Sequence, residues 1–423
     1  MPTSYTKEER IVFEALIESF EDQLVYAETA TKFDPLSDEE MVRTRDRFWL
    51  PQPMIAASYD GFDQTSNFDG LTELVVPASV GFHKAIPKSL SAKNLRNKTA
   101  LKGYAKAARA TLASNVNTAL RTRVALEGSI FTKRTVAPTG FDDLAVSGAQ
   151  MDEIGIPIDE RMAMIGTRAA IGMMSNLAGR QTMGPASTKA YERALINPSV
   201  AGFATYKDEQ PIRLAAAGGG TTTVNGANQY WEPAGFVTEP DGEQVNRDNR
   251  YSDLVITATS YAAIKAGDAF TIAGVNSINM ISKQDTGQLQ TFRVISKPTA
   301  NTIRIAPAII SNGGNTIAGK EYQNVTATPA NGAAITWLNT VTAEVNPFWH
   351  KPGLLLIPGS FSVDPGDGWD VVLIGQTPNL GLPITYVRQG NINDLSVKIR
   401  WDIDFGTALL NPQMAGAVMF NQS

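Results

Sequence analysis

Apolar side chains recur at helical spacing near the start of the chain, where Phe13, Leu16, Ile17, Phe20, Leu24 and Ala27 fall on one stripe. The pattern predicts an amphipathic helix from about Thr6 to Lys32. Thr6 and Glu9 fit a capping box, Lys7-Glu8-Glu9 puts acids in the first turn where they suit the helix dipole, and Asp34-Pro35 ends the run. Glu14, Glu18, Glu21 and Asp22 make much of the opposite surface acidic. Such a helix either packs on its own domain or serves as an arm that docks onto another subunit or an assembly partner.

The period is lost over residues 48–87, where Phe48-Trp49-Leu50-Pro51, Tyr59-Asp60-Gly61-Phe62 and Asp69-Gly70 mix aromatics with turn formers. Leu71 to Val76 follows an Asp-Gly turn signal and reads as a short strand, so a long hairpin fits this stretch best. Helical spacing returns from near Ser91 to about Phe131, through Leu101, Tyr104, Ala108, Leu112, Val116, Ala119, Val124 and Leu126. Asp142 to Ile154 and Arg168 to Leu177 are predicted as short helices, and Gly218-Gly219-Gly220 with the threonines after it as a hinge or linker.

Beyond that linker the period changes to two. Leu254–Thr259, Phe270–Ile272, Phe292–Ile295 and Ile303–Ile305 are short strands between Gly, Asn, Asp and Pro, which predicts a small all-β barrel or sandwich over about 221–338. Strands resume at Leu354–Ile357 and Val371–Ile374. Val397, Ile399, Trp401, Ile403 and Phe405 alternate onto one face.

Composition narrows the function. The 423 residues are 43% hydrophobic and 19% charged, enough for a sizeable core in two or three domains. A net charge of −5 argues against broad nucleic-acid affinity, which draws on Lys and Arg to release counterions. The chain has no cysteine and two histidines, His83 and His350, so thiolate metal sites are excluded and the usual general base is scarce. Both histidines read as packing or hydrogen-bonding residues. No apolar run approaches the ~20 residues of a membrane span, and the polar start is no signal peptide, so a soluble, intracellularly made protein is expected.

Charge is unevenly placed. No Asp or Glu lies between Glu73 and Glu127, whereas Lys84, Lys88, Lys93, Arg96, Lys98, Lys102, Lys106, Arg109, Arg121 and Arg123 do. A solvated face is the plain reading of this run, and pairing with acidic surfaces of neighbouring chains is the other. No aromatic platform accompanies it for nucleic-acid stacking. Residues Glu239 to Arg250 form the densest charged stretch of the β region, either a solvated hairpin tip or a projecting loop that pairs across a subunit boundary. A calcium loop is ruled out because the ligand spacing and terminal Glu are missing.

Gly314 to Lys320 has the spacing of a phosphate-binding loop, yet Glu321 stands where a Ser or Thr is needed and no apolar helix follows. No other enzyme signature occurs, and neither a cofactor nor a metal is expected.

Taken in order, several stretches resemble the major coat proteins of short-tailed, Salmonella- and Shigella-type bacteriophages. They are Phe48-Trp49-Leu50-Pro51, Gly70-Leu71-Thr72-Glu73-Leu74, and Ala107-Ala108-Arg109 through Ser114-Asn115-Val116. Val245 to Arg250, Gly267-Asp268 through Ala273-Gly274-Val275, Phe348-Trp349 and Gly390 through Ser396 continue the match to the C-terminus. The resemblance implies an α+β, Hong Kong 97-type capsid fold with an inserted six-stranded β-barrel. It also implies a division into a 1–47 N-terminal arm, a 48–87 extended loop, an 88–133 peripheral domain with a spine helix, a 134–220 and 339–390 axial domain, a 221–338 inserted barrel and 391–423 peripheral strands.

The implied function is a major capsid protein. With a scaffolding protein it forms hexamers and pentamers of an icosahedral head, with a portal protein and packaged double-stranded DNA as further partners and no membrane. Assembly takes place in the bacterial host cytoplasm. A decoration or host-binding β-domain protein is the alternative. Three sets of contact residues are expected: Asp241, Glu243, Arg247, Asp248 and Arg250 between capsomers; Glu14, Glu18, Glu21 and Asp22 on the arm; and Trp49, Tyr59, Phe62 and Phe68 on the extended loop.

Overall fold

The computed structural model describes residues 13, 20, 24–33, 47–56, 61–65, 68, 70–91, 98–178, 199–311, 316–359, 371–377, 379–391, 393 and 395–423. The chain divides into two compact units, one of residues 1–48, 78–121 and 354–408, the other of 49–77, 122–353 and 409–423.

The first unit is built on the strand Ser396–Leu409, which pairs antiparallel with the 17-residue strand Val75–Ser91 on one side and with Pro383–Asn391 on the other. The predicted alternation is the cause. Val397, Ile399, Trp401, Ile403 and Phe405 are buried while Lys398 and Arg400 are exposed, so one face of the strand is core. Tyr104 of the long helix Lys98–Glu127 meets Trp401 at 5.2 Å between ring centroids.

Three boundaries here differ from expectation. Most of the helix expected over Thr6–Lys32 lies outside the described residues; near its end a helix spans Val25–Glu28, and Thr31–Lys32 is a strand beside Leu354–Pro358. Thr29 closes that helix by donating its hydroxyl to the Tyr26 carbonyl at 2.9 Å. The strand expected at Leu71–Val76 instead begins at Val75 and pairs with Arg47–Pro51. The helix expected over Ser91–Phe131 is Lys98–Glu127, with Ser91 ending a strand and Ile130–Lys133 starting another. Just past its end only glycine fits at position 128, because a Cβ there would lie 2.8 Å from both the Val124 oxygen and the Ala415 carbonyl carbon.

The second unit holds a six-stranded mixed sheet in the order Ile130–Lys133, Ala415–Met419, Asn346–His350, Arg161–Gly166, Phe203–Asp208, Ser199–Val200. Helices Phe141–Ile154 and Thr167–Ala178 pack their apolar sides onto it through Leu144, Met151, Ala170 and Met174 against Ile130, Ile165, Phe203 and Phe348. The turn into the first helix uses Gly140 at φ +139°, a conformation L residues rarely adopt, and buries Asp143 one turn later.

The inserted segment is a closed barrel in the order Ser252–Ala258, Thr302–Ala306, Asp285–Thr299, Ala269–Ile278, Ala334–Trp337, Thr222–Val224, the last pairing back to the first. Leu254, Ile256, Phe270, Ile272, Phe292, Val294, Ile303 and Ile305 fill it, with Phe270 and Phe292 stacked at 5.7 Å. Gly218 to Gly220 is not a linker. A Cβ on Gly218 would come 2.7 Å from Ala263, and one on Gly219 would come 2.6 Å from the Trp337 ring, so the triglycine is a seam where backbone packs against side chains.

Candidate assembly surfaces

Glu239 to Asn246 continues a hairpin whose strands, Phe236–Thr238 and Gln244–Asn246, pair with each other alone. All six strand residues are exposed, including Phe236, Val237 and Val245. The Glu239 N–H donates to the Glu243 carbonyl at 2.8 Å, and the Asp241 carboxylate accepts from the Glu243 N–H at 3.0 Å. Such a hairpin is too small to bury anything itself, so its stability comes from the base. There Asn249 is buried: its side-chain oxygen accepts from the Trp231 indole N–H and the Ala234 N–H, and its amide donates to the Ala234 carbonyl. Sequence reasoning missed Asn249, and nothing in its local pattern distinguishes it from its neighbours.

The five residues assigned to contacts between capsomers separate in space. Asp241 and Glu243 are exposed at the tip, among the carboxylates of Glu239, Asp241 and Glu243. The other three also make contacts within the chain. Arg247 lies 3.7 Å from the centroid of the Trp231 ring, where burial pulls its pKa down while nearby Glu232 pushes it up. Arg250 is buried, forks onto Asp248 at 2.8 and 3.0 Å, and donates Nη1 to the Leu409 carbonyl at 2.9 Å. Burial pulls the Arg250 pKa down, but the Asp248 hydrogen bonds and the charges around it raise it further than burial lowers it. These cations hold the hairpin base to its own chain.

A second exposed element is the loop ahead of Val75. Phe62, Phe68 and Leu71 project into solvent, Phe62 without any burial. The loop is shaped by Asp63, which accepts from the Thr65 N–H and hydroxyl, and by Gln64, which donates to the Gly61 carbonyl at 2.7 Å. The Tyr322 hydroxyl ties its end to the Thr72 carbonyl at 3.0 Å. Trp49 is partly buried, and Tyr59 lies outside the described residues, as do Glu14, Glu18, Glu21 and Asp22.

The barrel and the end of the long helix meet at a junction that sequence reasoning did not foresee. Arg293, wholly buried, donates Nη2 to the Ala125 carbonyl and lies 5.2 Å from the Phe131 ring centroid. Thr291, on the same face of its strand, donates to the Ser129 carbonyl at 2.7 Å, and Tyr251 donates to Glu127 at 3.1 Å. Burial lowers the Arg293 pKa to about 10, still cationic at neutral pH, and raises the pKa of Asp268 beside it. A separate contact joins the barrel to helix Phe141–Ile154: Asn279 donates to the Glu153 carbonyl at 2.9 Å and the Met280 N–H to that of Ile154 at 2.8 Å.

The phosphate-loop spacing ends in a single helical turn, Ile317–Glu321, capped by Thr316, whose hydroxyl is bonded to Glu232; Gly314 and Asn315 lie outside the described residues. His83 Nε2 sits 3.1 Å from Asp402 and 3.0 Å from Arg400, a hydrogen-bonding role. Among the described residues no group of His, Asp and Glu is placed to hold a metal ion, and no helix is long and apolar enough to cross a membrane.

The hairpin and the loop ahead of Val75 are the places where large apolar side chains and carboxylates stand exposed together. The sequence model described as "P22 coat protein - gene protein 5" matches residues 1–421, and the chain belongs to that family of phage coat proteins. It is a shell-forming capsid protein, and its family is structural rather than enzymatic. The α+β architecture with a closed barrel is consistent with the Hong Kong 97-type capsid fold. The match over nearly the whole chain sets aside a decoration or host-binding protein.

Solved structures similar to the chain include one titled CUS-3 coat protein I-domain, 36% identical over 29% of this chain and 99% of that one, with a TM-score of 0.23. Another is from Mycobacterium phage Che8, 8% identical over 93% of this chain and 90% of that one, TM-score 0.44. The capsid structure of cyanophage P-SCSP1u is 10% identical over 93% and 87%, TM-score 0.44.

Proposed function

We propose that this coat protein assembles into hexamers and pentamers that close an icosahedral head around double-stranded DNA. A scaffolding protein directs assembly, and a portal protein occupies one vertex. The coat-family match from residue 1 to 421 carries this reading. In it, 1–47 is an arm, 48–87 an extended loop, 88–133 and 391–423 a peripheral domain, 134–220 and 339–390 an axial domain, and 221–338 the inserted barrel. Quasi-equivalent rings need heterologous contacts, in which one patch meets a different patch on the next subunit. Exposed Phe62 and Phe68 suit such contacts within a ring. The carboxylates of Asp241 and Glu243, with Phe236, Val237 and Val245 behind them, suit a contact between rings.

The acidic arm residues Glu14, Glu18, Glu21 and Asp22 meet a basic segment of the scaffold, a contact that weakens with salt. Electron microscopy of the purified protein, with and without scaffold, tests the reading. Shells, rings or tubes support it, and particles no larger than trimers refute it. Asp241→Ala with Glu243→Ala gives normal rings but a lower yield of closed, heat-stable shells; unchanged yield and heat stability rule out the hairpin contact. Scaffold binding that persists after neutralising the four arm acids rules out the arm contact.

A further inference from the structure

An α-helix leaves its last four carbonyls without partners inside the helix and carries partial negative charge there. The helix Lys98–Glu127 has no basic residue in its last turn to answer that charge. The cation comes from the barrel instead. Arg293 reaches the Ala125 carbonyl from the strand Asp285–Thr299, and two residues earlier on the same face Thr291 reaches the Ser129 carbonyl and accepts the Phe131 N–H. At the same place a Cβ on Gly267 would lie 2.7 Å from the Leu126 side chain, so barrel and helix end are in close contact.

Arg293 is otherwise a poor barrel residue. It has no exposure, and its Nε and Nη1 have no hydrogen-bond partner. Asp268, the carboxylate that attracts it, is already held by the Asn339 amide at 2.9 Å and the Lys265 N–H at 2.8 Å. Arg293 alternates with Phe292 and Val294, which fill the barrel, so it projects from the outer face toward the helix end. A buried, incompletely partnered cation is costly there, and an apolar side chain of similar length would fill the space at less cost. What the guanidinium does that a methionine cannot is donate to the helix terminus.

We propose that Arg293 is a positioning residue that makes the inserted barrel the C-terminal cap of the long helix, so that barrel and helix end form one latched body. The barrel then does more than decorate the shell. Any rearrangement that moves the end of this helix carries the barrel with it, or first breaks the Arg293 contact.

The test is hydrogen exchange on the full-length, unassembled chain, so its outcome is independent of the shell contacts proposed above. In Arg293→Met the amides of 124–129 exchange about tenfold faster as the last turn frays, while those of Thr302–Ala306 keep their protection. Arg293→Lys falls between, since an ammonium still donates but does not stack on Phe131. Thr291→Val shows a smaller loss at Ser129 and Phe131. Unchanged exchange at 124–129 in the methionine variant overturns the latch. Equal loss of protection in Thr302–Ala306 also overturns it, because Arg293 would then be supporting the barrel rather than capping the helix.

Discussion

Replacing Asp143 by Asn removes one atom's worth of charge and little volume, yet it should weaken the second unit substantially. The carboxylate is fully buried. One oxygen accepts from the Thr139 N–H at 2.6 Å and the Gly140 N–H at 3.0 Å, closing the start of helix Phe141–Ile154. The other accepts from Arg134 Nε at 3.0 Å and Nη2 at 2.9 Å. An amide has one accepting oxygen, so either the two backbone donors or the guanidinium must face an NH2 group. Losing charge-assisted hydrogen bonds worth ~1.5–3 kcal/mol, plus ~0.3–1 kcal/mol of interaction with the helix start, predicts destabilisation by about 2–4 kcal/mol. Arg134 keeps some solvent contact, which holds the loss below that of a wholly buried pair. Asp143→Ala, which abandons both donor sets, should cost about 3–5 kcal/mol. Equilibrium urea unfolding read by exchange in the strand Arg161–Gly166 measures this unit by itself. A change within about 0.5 kcal/mol, the range of an inert surface substitution, would refute the reasoning.

Other perturbations follow from the same packing. Phe62→Ser with Phe68→Ser should leave the melting of the unassembled chain within about 0.5 kcal/mol of wild type while lowering shell yield on a density gradient. Arg250→Ala should destabilise by about 2–4 kcal/mol in thermal unfolding, since it strands Asp248 and the Leu409 carbonyl, whereas Arg247→Ala, losing a stack on Trp231, should cost about 1 kcal/mol. Gly219→Ala should destabilise by about 1–3 kcal/mol through overlap with the Trp337 ring, where a flexible linker would tolerate it. His350 is buried, and its pKa lies below the ordinary 6.5 because burial disfavours the cation. Its unfolded form therefore binds protons first on acidification, so stability present above pH 6.5 is lost as pH falls below it. His350→Gln should flatten that part of the pH–stability curve in urea titrations.

Much of the architecture was readable because period and burial coincide. The strand Ser396–Leu409 alternates because one face is core, and the helices at 141–154 and 167–178 show a clear apolar side. The barrel was legible from four of its strands. The other two, Thr222–Val224 and Ala334–Trp337, are too short to show a period, so barrel and sandwich could not be separated. The misread triglycine has the composition of a linker, and only its neighbours, Ala263 and Trp337, reveal a close approach. Arg247, Asp248 and Arg250 looked like surface charge because charge run and exposure usually go together. Arg247 and Asp248 are partly buried and Arg250 is buried, with Trp231 against Arg247 and the Leu409 carbonyl accepting from Arg250. The hydrogen bonds at the barrel–helix junction link positions 124 to 168 residues apart and left no local trace.

The division of labour among charged groups has a consequence for assembly. Arg134, Arg161, Arg250 and Arg293 are spent inside the subunit, on Asp143, on Asp152, on Asp248 and on a helix terminus. Such buried or half-buried pairs resist salt, because counterions do not reach them. The hairpin tip carries exposed carboxylates instead, and contacts made there contribute only ~0–1 kcal/mol each and are screened. If the proposed tip contacts join neighbouring rings, such a subunit would keep its own fold across ionic conditions while those contacts stayed weak and reversible. Weak contacts allow a misplaced subunit to leave a growing ring, and a closed shell regains the stability by repeating each contact many times. Raising salt should therefore slow or reduce assembly at concentrations that leave the unfolding of the free chain unmoved.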